Sequence, residues 1–382
     1  MKKYLFMAAV AGLTLTSCSQ EDLGMPNQGN QNEITFAAPV VGKLTRANEV
    51  GNNYPTATDY NFAVWAHYYA GDFTTADAGT LYMDEVEMGF DGTSTWAPVG
   101  VKYYWPKNGT LTFAGYSPVS VKDDASYEGG KVKFTNYIVK EDLTNQVDLM
   151  FSERTYNQKT TTDTQAGSGE TGATPGVVAD PYTGTHLVFK HALSSILFNV
   201  KTDINYIADG TEITLTGLTL NNVVRKGTFT QNIADATGEV TDAPVQKNTT
   251  GDDWALSADA SDKVAYAVQN ANMLLTTTPY WPAVSAYNAA APANFVNGLR
   301  KTDLMLIPQS LENVTLTVNY TIKSATSSSA IAQTSTIELS ELTTDDWDWG
   351  YRYIYTITIG LEKISIEPYV TPWTDVTSSP EI

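Results

Sequence analysis

A single cysteine, Cys18, stands in a chain of 382 residues. That excludes an intramolecular disulfide and any metal site built on several thiolates. Basic residues are also scarce, with 23 Lys and Arg against 42 Asp and Glu and a formal charge of −19. Such a surface repels nucleic acid phosphates and anionic headgroups, so no nucleic acid is expected among the partners. The apolar run YLFMAAVAGLTLT at 4–16 is too short to span a bilayer as a helix, which takes about 20 residues. No Gly-x-Ser-x-Gly elbow or His-Glu-x-x-His pair is present. GSGETG at 167–172 has the letters of a dinucleotide loop but lies in a Gly/Thr-rich run, without a strand before it or a helix after it. His186 and His191 are five apart on an expected strand and so face opposite ways, which does not suit a shared metal. Asp345, Asp346 and Asp348 depart from the calcium-loop spacing and read as a solvated turn. No catalytic residue, cofactor or metal is assigned, and the chain is expected not to be an enzyme.

What is present begins at the N-terminus. Lys2 and Lys3, the apolar run and then Leu15, Thr16, Ser17 and Cys18 have the order of a secretory signal peptide over 1–17 that ends in a sequence similar to the bacterial lipobox. Cys18 would then receive diacylglycerol and become the first residue. Acyl chains contribute roughly 0.8 kcal/mol per buried methylene, enough for a multiply acylated cysteine to hold a domain on a membrane. Loss of Lys2 and Lys3 with this segment moves the formal charge from −19 to −21. Glu21 and Asp22 resemble an acidic signal for export to the outer surface.

The rest of the chain reads with a period of two, which predicts half-buried strands and an all-β fold. In YRYIYTITIGL, Tyr351, Tyr353, Tyr355, Ile357, Ile359 and Leu361 share one face, with Arg352, Thr356 and Thr358 on the other. Val314, Leu316, Val318, Tyr320 and Ile322 alternate likewise, as do Ile196, Phe198 and Val200. In TEITLTGLTL the apolar parity switches across Gly217, which predicts a β-bulge there. Asn108-Gly109 and Gly129-Gly130 predict hairpins, between VKYYWPK and TLTFAGYS and between ASYE and KVKFTNY. Residues 155–185 predict a long exposed loop at a domain boundary, and 231–253 a second polar connection. Aromatics cluster at Trp65, Tyr68, Tyr69, Tyr103, Tyr104, Trp105, Tyr280, Trp281, Trp347, Trp349 and Trp373. Packing within sheets explains them, and stacking on sugar rings is the alternative.

Several stretches in order carry a family resemblance: ITFAAPVVGKLTRA at 34–47, FAVWAHYY at 62–69, WAPVGVKYYWPKNGTLTFAGYSP at 96–118, DLMFSE at 148–153, LVFKHALSSILFNV at 187–200, LMLIPQSLENVTLTVNY at 304–320 and WDWGYRYIYTITI at 347–359. Together with the lipobox start they resemble the fimbrillin family of Bacteroidales, the subunits, tips and anchors of type V pili. The resemblance implies two transthyretin-like β-sandwich domains in series. It divides the chain into a signal peptide at 1–17, a lipidated tether and removable first strand at 18–46, an N-terminal sandwich at 47–184 and a C-terminal sandwich at 185–382.

It further implies a precursor carried to the outer membrane by its lipid anchor, trimmed by an arginine-specific protease and joined to other pilus subunits by donor-strand exchange. Arg46, followed by Ala47, is the expected cleavage site, with residues 34–46 as a placeholder strand. Ile34 and Phe36 share a face, while Pro39 and Gly42 favour an edge position that can be vacated. The tail EKISIEPYVTPWTDVTSSPEI offers Ile364, Ile366, Val370 and Trp373 as a candidate donor strand, with Pro368 and Pro372 suiting an edge. Host or bacterial surface ligands are the remaining expected partners. The alternative function is a surface glycan-binding lipoprotein without catalytic activity.

Overall fold

The computed structural model describes residues 33–41, 54–158 apart from 55, 57, 75, 94 and 107, 185–203 apart from 186, 210–231, 253–278 apart from 270 and 271, 295–296, 299–300, and 303–372 apart from 343–345 and 362. Strands and short 3-10 turns make up the regular structure of these residues, as the period-two pattern predicts. No helix among them is long and apolar enough to cross a membrane.

Four sheets carry the fold. Sheet I runs in the order Val40–Val41, Val188–His191, Met150–Ser152, Thr110–Ser117, Phe62–Tyr69, Thr80–Phe90 and Trp96–Pro98, and Thr155–Gln158 also pairs with Thr110–Ser117. Sheet II is Leu304–Leu306, Ser194–Thr202, Tyr351–Ile359 and Ile364–Pro372. Sheet III is Lys263–Gln269, Glu212–Val224, Thr315–Lys323 and Ile331–Glu338, and Met273–Leu274 also pairs with Glu212–Val224. Sheet IV is Trp254–Leu256, Lys226–Thr230, Lys131–Ile138 and Ala125–Glu128.

Alternation decides which core each side chain joins. On sheet I, Phe62, Val64 and Ala66 with Leu111 and Phe113 enter one apolar cluster, while Ala63 and Trp65 with Ala114 and Tyr116 enter a second. Its central strands are therefore buried on both faces. The second cluster is continuous with the inward rows of the other sheets, such as Phe134 and Phe229 of sheet IV, Phe198 and Tyr355 of sheet II, and Leu215 and Val318 of sheet III. Rows from facing sheets that share one apolar layer make a β-sandwich.

Local signals held where they depend on neighbours in sequence. Gly129 and Gly130 both take positive φ and close the hairpin of Ala125–Glu128 with Lys131–Ile138. The register of Glu212–Val224 against Thr315–Lys323 shifts between Leu215 and Gly217, the bulge that the parity switch predicts. The other expected hairpin does not form. Thr110–Ser117 pairs instead with Phe62–Tyr69 and Met150–Ser152, and among the described residues of VKYYWPK only Tyr104 makes a bridge, to Glu33. Pro106 lacks the N–H a ladder needs, and Gly109 serves a different end, since a Cβ there would lie 2.2 Å from Tyr69 O.

Part of the expected loop at 155–185 is the strand Thr155–Gln158, and the rest lies outside the described residues apart from Thr185. Asp348, expected in a solvated turn, is buried, because its N–H bonds Tyr353 Oη at 2.8 Å and its carbonyl accepts from Ser194 Oγ at 2.8 Å. Pairing also crosses residues 184 and 185. Val188–His191 lies beside Met150–Ser152, and Lys226–Thr230 beside Lys131–Ile138. The proposed units 47–184 and 185–382 thus exchange strands across their boundary.

Candidate functional site

Residues 33–41 run as one extended segment between the two edges of sheet I. On one side Ile34 N donates to Tyr103 O at 2.8 Å, and Phe36 and Trp96 exchange both backbone bonds at 2.8 Å. On the other, Ala37 N donates to Thr185 O at 3.0 Å and Thr185 N to Thr35 O at 2.9 Å, after which Val40 and Val41 pair in parallel with Val188 and Phe189. The segment thereby closes the gap between Trp96–Pro98 and Val188–His191. A backbone strip with donors and acceptors on both sides is satisfied only while both edges hold it.

Its side chains fill the first apolar cluster. Ile34, Phe36 and Val41 are fully buried. The Phe36 ring meets Phe62 and Phe113 edge-on, with centroids 5.9 and 5.3 Å apart. Tyr54 packs on Phe62, Trp96 and Phe189. Its hydroxyl donates to Tyr60 O at 3.0 Å and lies 2.5 Å from Ser117 Oγ, and burial pushes its pKa well above the usual tyrosine value. At the mouth, Lys102 Nζ reaches Glu33 Oε2 at 2.7 Å on an exposed surface. Fully burying an Ile, Phe or Val side chain contributes roughly 1.5–3 kcal/mol, so the three together contribute on the order of 6 kcal/mol. That is comparable to the whole stability of many domains.

Ile34 and Phe36 are therefore brought together on one face of this segment, as their spacing predicts. Cys18, Arg46, Ala47 and Trp373 lie outside the described residues. Ile364, Ile366 and Val370 lie on Ile364–Pro372, the outer strand of sheet II, which pairs with Tyr351–Ile359 from Ile359↔Ile364 to Tyr351↔Pro372. Ile364 and Ile366 lean on the larger cluster, whereas Val370 is 37% exposed. Trp96, Tyr103 and Thr185, which wall the segment, are not signalled by any local pattern. Only the quoted motif at 96–118 covers two of them.

The other candidates resolve differently. Trp65, Tyr69 and Trp347 are buried and serve packing, Trp347 Nε1 donating to Tyr355 Oη at 3.0 Å. Tyr280 and Trp281 lie outside the described residues, as does His186. His191 is buried with Nδ1 2.7 Å from Asp148 Oδ1. Arg352, on the face of sheet II opposite the tyrosines, is buried 3.4 Å from Asp303 Oδ2, which also accepts from Ser195 Oγ at 3.0 Å. No group of three His, Cys, Asp or Glu gathers as a metal site among the described residues.

Residues 45–373 match the model of a family described as fimbrillin-like. Among solved structures, the chain is similar to a fimbrial protein from Bacteroides vulgatus at 17% identity and TM-score 0.54, covering 90% of this chain and 100% of that one. It is also similar to candidate cell adhesion proteins from Bacteroides uniformis, at 12% identity and TM-score 0.45 with 91% and 100% covered, and from Bacteroides ovatus, at 12% identity and TM-score 0.44 with 90% and 98% covered. No curated protein matches in sequence. The first of these likenesses shows a shared fold.

Proposed function

Because the chain belongs to the fimbrillin-like family, we propose that it is a non-catalytic structural subunit of a cell-surface pilus, made as a lipoprotein precursor and assembled by exchange of strands. The observation that carries this reading is the seating of residues 33–41. They supply buried apolar side chains and two-sided backbone bonds to sheet I, yet Pro39 interrupts them and their only regular strand is the two-residue Val40–Val41. A cut after Arg46 would free this segment, leaving an apolar groove with unpaired backbone groups along Trp96–Pro98 and Val188–His191. A strand from a neighbouring subunit satisfies such a groove by the same bonds. The similarity of the chain to a fimbrial protein agrees with this use of the fold.

Anchoring through Cys18 would bring the precursor to the outer membrane, and the cut would release the sandwich from its tether. The test is to trim folded precursor with an arginine-specific protease and examine the product by electron microscopy. Polymers from trimmed wild type, and none from an uncut Arg46→Ala variant, are expected. Monomers after complete trimming would overturn the reading.

A further inference from the structure

Edge strands offer unpaired backbone groups to other chains, and natural sheets guard them by shortness, bulges, prolines or lysines. Nearly every described edge here is guarded in one of these ways. Trp96–Pro98, Trp254–Leu256 and Leu304–Leu306 are three residues long, and Ala125–Glu128 is four. Lys263–Gln269 is bulged against its neighbour in two places. Ile364–Pro372 carries Pro368 and Pro372. Ile331–Glu338 has none of these devices. Its eight residues, IAQTSTIE, hold an unbroken register against Thr315–Lys323, and no described strand covers its other side.

We propose that Ile331–Glu338 pairs antiparallel with the same strand of a second copy of this chain, about a two-fold axis through Thr334 perpendicular to the sheet. Leu339 N donates to Val314 O at 2.9 Å, in the register that sets Thr315 opposite Glu338. Alternation then turns the backbone groups of odd-numbered residues toward Thr315–Lys323 and leaves those of Ala332, Thr334 and Thr336 facing outward. Centred on Thr334, the pairing sets Ala332 against the partner's Thr336. It also sets Ile331 against the partner's Ile337, and again in the reverse sense, as an isologous interface requires.

This register covers a side chain that the single chain leaves open. Ile331 is 64% exposed, on the face where Tyr320, Ile322 and Ile337 rest against the core. Charge favours the same occupant. Ile331 to Ile337 carry no charge, in a chain of formal charge −19. The two Glu338 carboxylates would stand eight residues apart along the ladder, about 27 Å at ~3.4 Å per residue, well beyond a screening length of about 8 Å at physiological salt. A second copy therefore meets this strip without like-charge repulsion.

The full-length, untrimmed chain with Cys18→Ser, which removes the sole native thiol, tests this by sedimentation velocity over a concentration series. A monomer that converts to a dimer on concentration is expected. Thr334→Lys sets two ammonium groups directly opposite each other while lowering the net negative charge, and should abolish the dimer. Thr214→Lys makes the same charge change on Glu212–Val224, two strands inward, and should leave the dimer intact. In the same background Thr334→Cys should cross-link on mild oxidation and Thr214→Cys should not. A monomer at every concentration, a dimer indifferent to Thr334→Lys, or equal cross-linking of both cysteine variants overturns the proposal.

Discussion

The Phe36 ring meets the Phe113 ring edge-on, 5.3 Å between centroids, and so ties the N-terminal segment to a central strand of sheet I. Phe36→Ala should lower the stability of untrimmed protein by about 3–5 kcal/mol, the usual loss for a fully buried phenylalanine. The denaturation midpoint in urea checks this. An unchanged midpoint would mean that the segment is not part of the folded core in solution.

Trimming after Arg46 should act on stability in the same direction. Ile34, Phe36 and Val41 leave together with the backbone bonds to Trp96, Tyr103 and Thr185. The trimmed monomer should be less stable than the precursor by on the order of 6 kcal/mol from side-chain burial alone. Assembly should restore the loss, because binding to the native form shifts apparent stability. Limited trypsin digestion with N-terminal sequencing should find Ala47 as the new terminus, and Arg46→Ala should resist that cut. A trimmed monomer as stable as the precursor would contradict the placeholder role.

The sequence makes some of this visible and hides the rest for a physical reason. The bulge at Gly217, the hairpin at Gly129-Gly130 and the inward row Tyr353, Tyr355, Ile357 and Ile359 are written in neighbouring residues, because a strand alternates every two positions. The closeness of Ile34 and Phe36 is legible in the same way. Pairings over long separations are not. Nothing near Thr110 indicates that its neighbours are Phe62–Tyr69 and Met150–Ser152 rather than the preceding segment. Arg352 reads only as a residue on the face opposite the tyrosines, and its burial against Asp303 and Ser195 is not written in its neighbours. The walls of the candidate site, Trp96, Tyr103 and Thr185, likewise lie far in sequence from the segment that they hold.

Anchoring is tested at the thiol. Cys18→Ala should leave the precursor without lipid and abolish its stable association with membranes. Labelling with radioactive palmitate reads the outcome directly, and equal incorporation in both forms would dismiss Cys18 as the attachment point.

Alkaline pH should destabilise the fold through Tyr355. Burial pushes its pKa up to about 12, against which the Trp347 hydrogen bond acts in the lowering direction. The folded state thus holds the phenol proton more tightly than the unfolded chain, whose tyrosines titrate near 10. The resulting stabilisation is complete below pH 10 and is lost as pH rises from about 10 to about 12. Tyr355→Phe should cost about 1–3 kcal/mol at pH 7, where Trp347 Nε1 loses its acceptor. The variant should also show a shallower loss over pH 10–12, by up to ~1.4 kcal/mol per pH unit. Parallel stability curves for the two proteins across that window would remove Tyr355 from the account.

The donor strand is the sharper question, because Ile364–Pro372 has a place in the chain's own sheet. Its start is held: Ile364 and Ile366 stand opposite Ile359 and Ile357 and lean on the larger core. Its end is paired as well, through Tyr353↔Val370 and Tyr351↔Pro372, but its side chains are open, with Tyr369 62% and Val370 37% exposed. A strand packed on the core at one end and open to solvent at the other can give up its exposed end to a neighbour at little cost in buried surface. Val370→Asp should therefore change the stability of the trimmed monomer by no more than about 0.5 kcal/mol, as exposed substitutions do, yet block polymer growth, because the same side chain would enter an apolar groove. Removing residues 362–382 should likewise stop polymerisation, with a larger stability loss because Ile364 and Ile366 go too. Electron microscopy and urea denaturation of both trimmed variants separate the two effects. Normal polymers from either folded variant would assign the donor role to another segment.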